Sequence, residues 1–249
     1  QPSRIRGRRL TPSAKSLELR ARLSIVTLVQ MASCGPMASV RLNGELLGPD
    51  LACTDSTYML KSIYMLKFDR NGYLPVGDHE MAYSEIIESV LVCNPARPEW
   101  DHSWRLLLLD RFMILAAELW QVGITDIFLD GSDVEEKDHP NDIDGYFVCD
   151  FKRFIHKSLH RDLNALNPDK IWTWSVADME RDDSVGKRVL PMWKKYRVEL
   201  FPDYPGSFSG IRDRKNRNLD FPQAFRSCRG GRAQKGIVKL RKETNNDSN

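Results

Sequence analysis

The stretch over residues 127–150, IFLDGSDVEEKDHPNDIDGYFVCD, constrains this chain more than any other. Ile127, Phe128 and Leu129 form a short apolar run of the kind a buried strand needs. Gly131-Ser132 ends that run. Nine residues follow, 133–141, and six of them (Asp133, Glu135, Glu136, Lys137, Asp138, His139) are charged or histidine. Pro140 stops any helix there. Asp142-Ile143-Asp144 then opens a second run, Tyr146-Phe147-Val148. The pattern reads as strand, Gly-Ser turn, polar excursion, and a second strand carrying two aspartates.

The spacing of the aspartates carries chemistry. Residues i and i+2 on a strand share one face, roughly 6.5–7 Å apart. Ile143 then points the other way, into a core. Two carboxylates on one exposed face repel unless a cation sits between them. Hard oxygens on a rigid strand suit Mg²⁺, which keeps waters and takes substrate phosphates as further ligands. The Gly-Ser turn adds unobstructed backbone N–H groups and one hydroxyl, which can hold a phosphate, particularly if a helix starts there. The bland alternative is a solvated hairpin with an acidic strand end. Both elements together, at this spacing and after a long helix, favour the functional reading.

The rest of the chain frames that stretch. The 249 residues suffice for one large or two small domains, and 41% hydrophobic with 29% charged content is ordinary for a globular protein. Helices are expected over 81–92, 104–122 and 151–166. The second of these is apolar nearly all round, is expected to lie buried between layers, and is capped by Gly123. Strands are expected over 171–175 and 196–201, with a final edge strand over 235–240 and a surface loop over 178–187. Trp172 and Trp174 read as core residues rather than a base-stacking pair. His156 and His160 are one helical turn apart, but the cations around them suggest a solvated basic face. Cys34, Cys53, Cys93, Cys149 and Cys228 are scattered, with no Cys-x-x-Cys, which argues against a disulfide framework or zinc site and for a reducing cytosol. No apolar run reaches the eighteen or so residues of a membrane span, so no membrane partner and a cytoplasmic location are expected.

Leu129, Gly131, Ser132, Asp142 and Asp144 together resemble the signature of the nucleotidyltransferase superfamily typified by DNA polymerase beta. From Met65 to Lys242 the chain is similar to small, largely uncharacterised bacterial proteins of that kind. Leu74-Pro75, His139-Pro140, Gly210-Ile211-Arg212-Asp213, Phe221-Pro222 and Lys235-Gly236-Ile237-Val238 extend the likeness. The resemblance implies an α+β nucleotidyltransferase fold, a mixed sheet flanked by helices. It implies a third carboxylate on a later strand, best matched by Glu199, where many relatives have Asp. The bland reading of Glu199 is an ion pair with Arg197 or Lys195. Asp142, Asp144 and Glu199 would be catalytic and hold Mg²⁺ or Mn²⁺; Gly131 and Ser132 would bind the nucleotide phosphates.

The implied reaction moves a nucleoside monophosphate from a nucleoside triphosphate to a hydroxyl on RNA, protein or a small molecule, and a toxin or phage-defence role is compatible. Arg226, Arg229, Arg232, Lys235, Lys239, Arg241 and Lys242, with no acid among them, tilt the expected acceptor towards RNA such as a tRNA end. Asp133 departs from the aromatic usual after Gly-Ser; placed near the phosphates, it would weaken binding. Asp133 and Glu199 keep the alternative open: a catalytically inactive nucleotide- or RNA-binding protein on the same fold. The catalytic domain is expected over 59–243, with a disordered tail over 244–249. Residues 1–58 begin strongly basic, then turn apolar over 23–32, the outline of a secretory signal. Export would strand an enzyme that needs triphosphate outside the cell, so a poorly ordered extension is the preferred reading and a nucleic-acid-binding arm the alternative.

Overall fold

The computed structural model describes residues 66–228 and 234–243, with the short pairing of Arg41–Leu42 and Glu45–Leu46. The chain divides into two compact units, Gln1–Leu60 and Lys61–Asn249. Within the first, Arg41–Leu42 and Glu45–Leu46 pair antiparallel. The extension expected over 1–58 otherwise lies outside the described residues, as does the tail over 244–249.

The second unit is built on a five-stranded mixed sheet. Its strands are β1 (Asp78–Met81), β2 (Ile127–Asp130), β3 (Ile143–Val148), β6 (Val198–Asp203) and β7 (Ile237–Leu240), in the order β1-β7-β2-β3-β6. β7 runs parallel to β1 and antiparallel to β2; β3 runs antiparallel to β2 and parallel to β6. Strands β4 (Glu180–Asp182) and β5 (Lys187–Val189) form a separate antiparallel ribbon. The helices are α1 (Tyr83–Glu88), α2 (His102–Gln121), α3 (Phe151–Ile155), α4 (Ser158–Leu166), α5 (Pro191–Tyr196) and α6 (Phe221–Phe225). The mixed sheet flanked by helices is as expected.

Alternation along the strands sorts side chains into two layers. Ile127, Leu129, Ile143, Phe147, Val198, Leu200, Val238 and Leu240 face a core shared with Leu108, Leu109, Phe112, Leu115 and Leu119 of α2. Each such side chain contributes about 1.5–3 kcal/mol on burial. On the opposite face a smaller cluster gathers Phe128, Tyr146 and Ile237 beneath Phe201, Phe221 and Phe225. Asp101 caps α2 by accepting from the Trp104 N–H at 3.0 Å, and Gly123 follows the helix with φ 82°. Only one side of α2 meets the core. Leu107 and Ile114 on its other side are exposed, so α2 covers the sheet rather than lying between layers.

Other expectations change where distant contacts intervene. The helix of 81–92 shrinks to α1 because Met81 pairs within β1 and Ser89 turns extended. The helix of 151–166 breaks at Lys157, whose φ is 57°, and His160 packs among Phe154 and Trp174 instead of lying on a basic face. Residues 171–175 form no strand. The Asn164 side chain bonds both the N–H and the C=O of Trp172, taking the place of a neighbouring strand. Trp172 and Trp174 are core residues, their indole N–H groups donating to Glu118 and to the Leu200 carbonyl. The expected loop over 178–187 contains most of the β4–β5 ribbon. The expected edge strand is β7, which has a neighbour on each side; among the described strands the edges are β1 and β6.

Candidate active site

Register places three carboxylates in one row. Asp130 on β2 faces Asp144 on β3, and Asp144 faces Glu199 on β6. Side chains directly opposite one another on neighbouring strands have Cβ atoms about 4.5–5.5 Å apart. One pleat further along, the same pairing makes a row of rings: Phe128, Tyr146 and Phe201. Asp142 lies just ahead of β3, two residues before Asp144. Its Oδ2 accepts from the Trp193 indole N–H at 2.6 Å. Trp193 is buried on α5, with the Arg197 guanidinium 4.0 Å and the Lys187 ammonium 5.5 Å from its ring centre.

Burial, with the charges of Asp142, Glu199 and Asp130, pushes the Asp144 carboxyl up to about 7, against the pull of Lys187. Burial also raises Asp130 to about 6, opposed by Lys235. Burial raises Glu199, opposed by Lys187 and by a hydrogen bond from the Leu190 N–H. The bland alternative for Glu199, an ion pair with Arg197 or Lys195, is not what forms. Lys195 binds Asp169, and Arg197 stacks on Trp193 and donates to the Ser184 hydroxyl.

The Gly-Ser turn closes against this row. Gly131 has φ 83°, and a Cβ there would stand 2.7 Å from Asp144 Oδ2, so only glycine brings the backbone this near. The turn, Gly131–Val134, is a single 3₁₀ turn rather than the start of an α-helix, and Ser132 is 4% exposed. Asp133 corrects its sequence reading. It is 2% exposed, with Oδ1 3.6 Å from the Arg105 guanidinium, because a 3₁₀ turn swings each successive side chain by a third of a revolution. It faces the core, not a phosphate.

Three residues that organise the site escaped sequence reading. Arg105 is wholly buried and donates to four carbonyls: Leu91 and Asp133 at 2.7 Å, Glu135 at 3.1 Å and Lys137 at 2.5 Å. It thereby holds the polar excursion between the two acidic strands. The signal was a lone cation on the apolar face of α2. Lys235, read as part of a basic stripe, is 3% exposed; its Nζ lies 3.3 Å from Asp130 Oδ1, 2.5 Å from Glu135 Oε1 and 3.4 Å from the Gly131 carbonyl. Asp130 itself was visible only as an acid ending an apolar strand. Others in the basic stripe are paired within the fold: Arg226 with Asp78, Lys239 with Asp126 and Arg241 with Glu85. Arg229 and Arg232 lie outside the described residues. His139 stacks on Trp104 and bonds Asp101, fastening the excursion to the head of α2.

Among the described residues, no three His, Cys, Asp or Glu side chains converge into a ready-made metal cage. Mg²⁺ does not require one, since waters and substrate oxygens complete its shell. Asp142, Asp144 and Glu199 are hard oxygen donors, and a cation would relieve the repulsion that Asp142 and Glu199 exert on Asp144. The arrangement defines a mixed α/β protein with an acidic site on one face of its sheet. By its sequence the chain belongs to DUF6932, a family of unknown function, whose model matches residues 66–241. Comparison with curated proteins and with solved structures found no match. No helix of the described residues is long and apolar enough to cross a membrane.

Proposed function

We propose that this protein is a metal-dependent nucleotidyltransferase that moves a nucleoside monophosphate from a nucleoside triphosphate to an acceptor hydroxyl. The observation that carries the reading is the cross-strand row Asp130, Asp144 and Glu199, with Asp142 beside it and Gly131 closing over Asp144. The antiparallel β2–β3 pair with β6 parallel to β3 supports a nucleotidyltransferase type of fold. Asp142, Asp144 and Glu199 would hold the ions. Bound there, Mg²⁺ or Mn²⁺ would neutralise phosphate charge and acidify the acceptor hydroxyl. Trp193 fixes one oxygen of Asp142, so that carboxylate is held in place before substrate arrives. Lys235 neutralises Asp130 and ties Gly131 in position. Lys187, on the ribbon, is a cation near the same carboxylates and suits an anionic substrate. Catalysis on this reading is positioning plus charge neutralisation.

A second reading, a nucleotide- or RNA-binding protein without turnover, is favoured by the turn: a single 3₁₀ turn with a buried Ser132 offers a phosphate less than a helix start would. One experiment separates the two. Pyrophosphate release is measured from each nucleoside triphosphate with Mg²⁺ or Mn²⁺ and total RNA, for wild type and Asp142→Ala/Asp144→Ala. Release with one nucleotide, absent in the variant, is expected. Thermal stabilisation by Mg²⁺ and triphosphate with no release from any donor would replace the transferase reading with the binding one.

A further inference from the structure

The ribbon β4–β5 carries a cation that the fold does not use. Its register pairs Glu180 with Val189, Arg181 with Arg188 and Asp182 with Lys187. By alternation, Glu180, Asp182, Lys187 and Val189 share one face, and Arg181 and Arg188 the other. Val189 is 1% exposed, so the first face is turned to the body of the protein. On that face Glu180 pairs with Lys194, and Asp182 accepts from the N–H and the hydroxyl of Ser184. On the other, Arg181 pairs with Asp183, and Arg188 donates to the Val176 and Met179 carbonyls. Among the described residues, Lys187 is in no hydrogen bond or salt bridge.

An exposed lysine is usually no more than solvated. The placement of this one says otherwise. Leu190, just past β5, gives its N–H to the Glu199 carboxylate, so the ribbon ends against the acidic row. The Lys187 ammonium is 5.5 Å from the ring centre of Trp193, whose indole N–H holds Asp142 at 2.6 Å. Its charge acts on both Asp144 and Glu199. At the other end of the row Lys235 does the same for Asp130, but Lys235 is buried and anchored to Glu135 and to the Gly131 carbonyl. The row thus has a fixed counter-ion at one end and, at the other, an exposed one on a flexible four-carbon stem.

We propose that Lys187 is an exchangeable counter-ion that becomes the phosphate anchor of the site: with no metal bound its ammonium neutralises Asp144 and Glu199, and once a divalent cation takes over that task it turns to the phosphates of the nucleotide. The metal and the triphosphate are those of the reaction proposed above, on which this role rests. An ammonium and a divalent cation beside the same carboxylates repel, so each weakens the other's hold. A triphosphate brings negative charge into the site, and lysine binds phosphate as a point charge. The stem alone makes the change, while the ribbon backbone stays tied through Glu180, Ser184 and Arg188. Lys187 therefore opposes the metal alone and favours metal and triphosphate together.

The test uses the full chain as wild type, Lys187→Met, Lys187→Arg and Arg181→Met, with circular dichroism to check the fold. Mn²⁺ binding is measured by electron paramagnetic resonance of the free ion, and binding of inorganic triphosphate at saturating Mg²⁺ by calorimetry. Lys187→Met is expected to bind Mn²⁺ about tenfold more tightly and triphosphate about tenfold more weakly. Lys187→Arg keeps the charge and should restore much of both. Arg181→Met, on the opposite face of the ribbon, should change neither. A lysine that only steadies the ribbon would move both affinities down or leave both alone, and a permanent counter-ion would tighten Mn²⁺ without weakening triphosphate. Either result overturns the proposal. So do shifts of equal size in Arg181→Met, absence of Mn²⁺ binding in wild type, or its persistence in Asp142→Asn/Asp144→Asn. Opposite shifts in Lys187→Met without pyrophosphate release from any nucleotide would refute the transferase alone; release with unshifted affinities in Lys187→Met would refute this role alone.

Discussion

Asp144→Asn should make the metal-free protein more stable, although it removes the residue on which the site turns. The folded chain holds this carboxyl at about 7, against an ordinary value of 3.8, with burial first and the charges of Asp142, Glu199 and Asp130 next. A carboxyl whose folded value lies above its unfolded value opposes folding once ionised. The penalty is absent below about pH 4, grows between about pH 4 and 7, and is complete above that. Three units at about 1.4 kcal/mol each give about 4 kcal/mol at pH 8. At pH 5 the same arithmetic leaves less than half of that. Asparagine keeps the shape and carries no charge, so about 2–4 kcal/mol should be regained at pH 8. The assay is urea unfolding of wild type and variant in EDTA at pH 8 and pH 5. Mg²⁺ should then stabilise the wild type and leave the variant unchanged. A variant no more stable than wild type at pH 8, or a gain of equal size at both pH values, would refute the account of a site under electrostatic strain.

Two further outcomes test the scaffold. Arg105→Met should destabilise the protein by about 3–5 kcal/mol in chemical unfolding, because four carbonyls lose their donor and Asp133 keeps a buried charge; adding Asp133→Asn should recover part of the loss, and strict additivity would contradict the pairing. Lys235→Met should cost about 2–4 kcal/mol at pH 8 and less at pH 5, since Asp130, whose carboxyl sits at about 6, takes up a proton there and no longer needs the ammonium.

What could be read from the sequence is what depends on neighbours along the chain. Strand periodicity alone puts Asp142 and Asp144 on one face and Ile143 on the other, and it turns Glu199 away from Val198 and Leu200. The apolar content of α2 and the Gly123 stop are equally local. Pairing across the sheet was not legible, because nothing along the chain says which strands lie side by side. Asp130 joins the acids only because β2 and β3 pair in a register that sets it opposite Asp144. Lys235 leaves the basic stripe because β7 inserts between β1 and β2, carrying that ammonium to Glu135, one hundred residues earlier. Asn164 displaces a strand that alternation predicts at Trp172, and Arg105 turns Asp133 from a supposed phosphate neighbour into a core ion. Sequence periodicity decides which way a side chain points; what it points at is decided by long-range packing, whose closure entropy is repaid only when the whole sheet assembles.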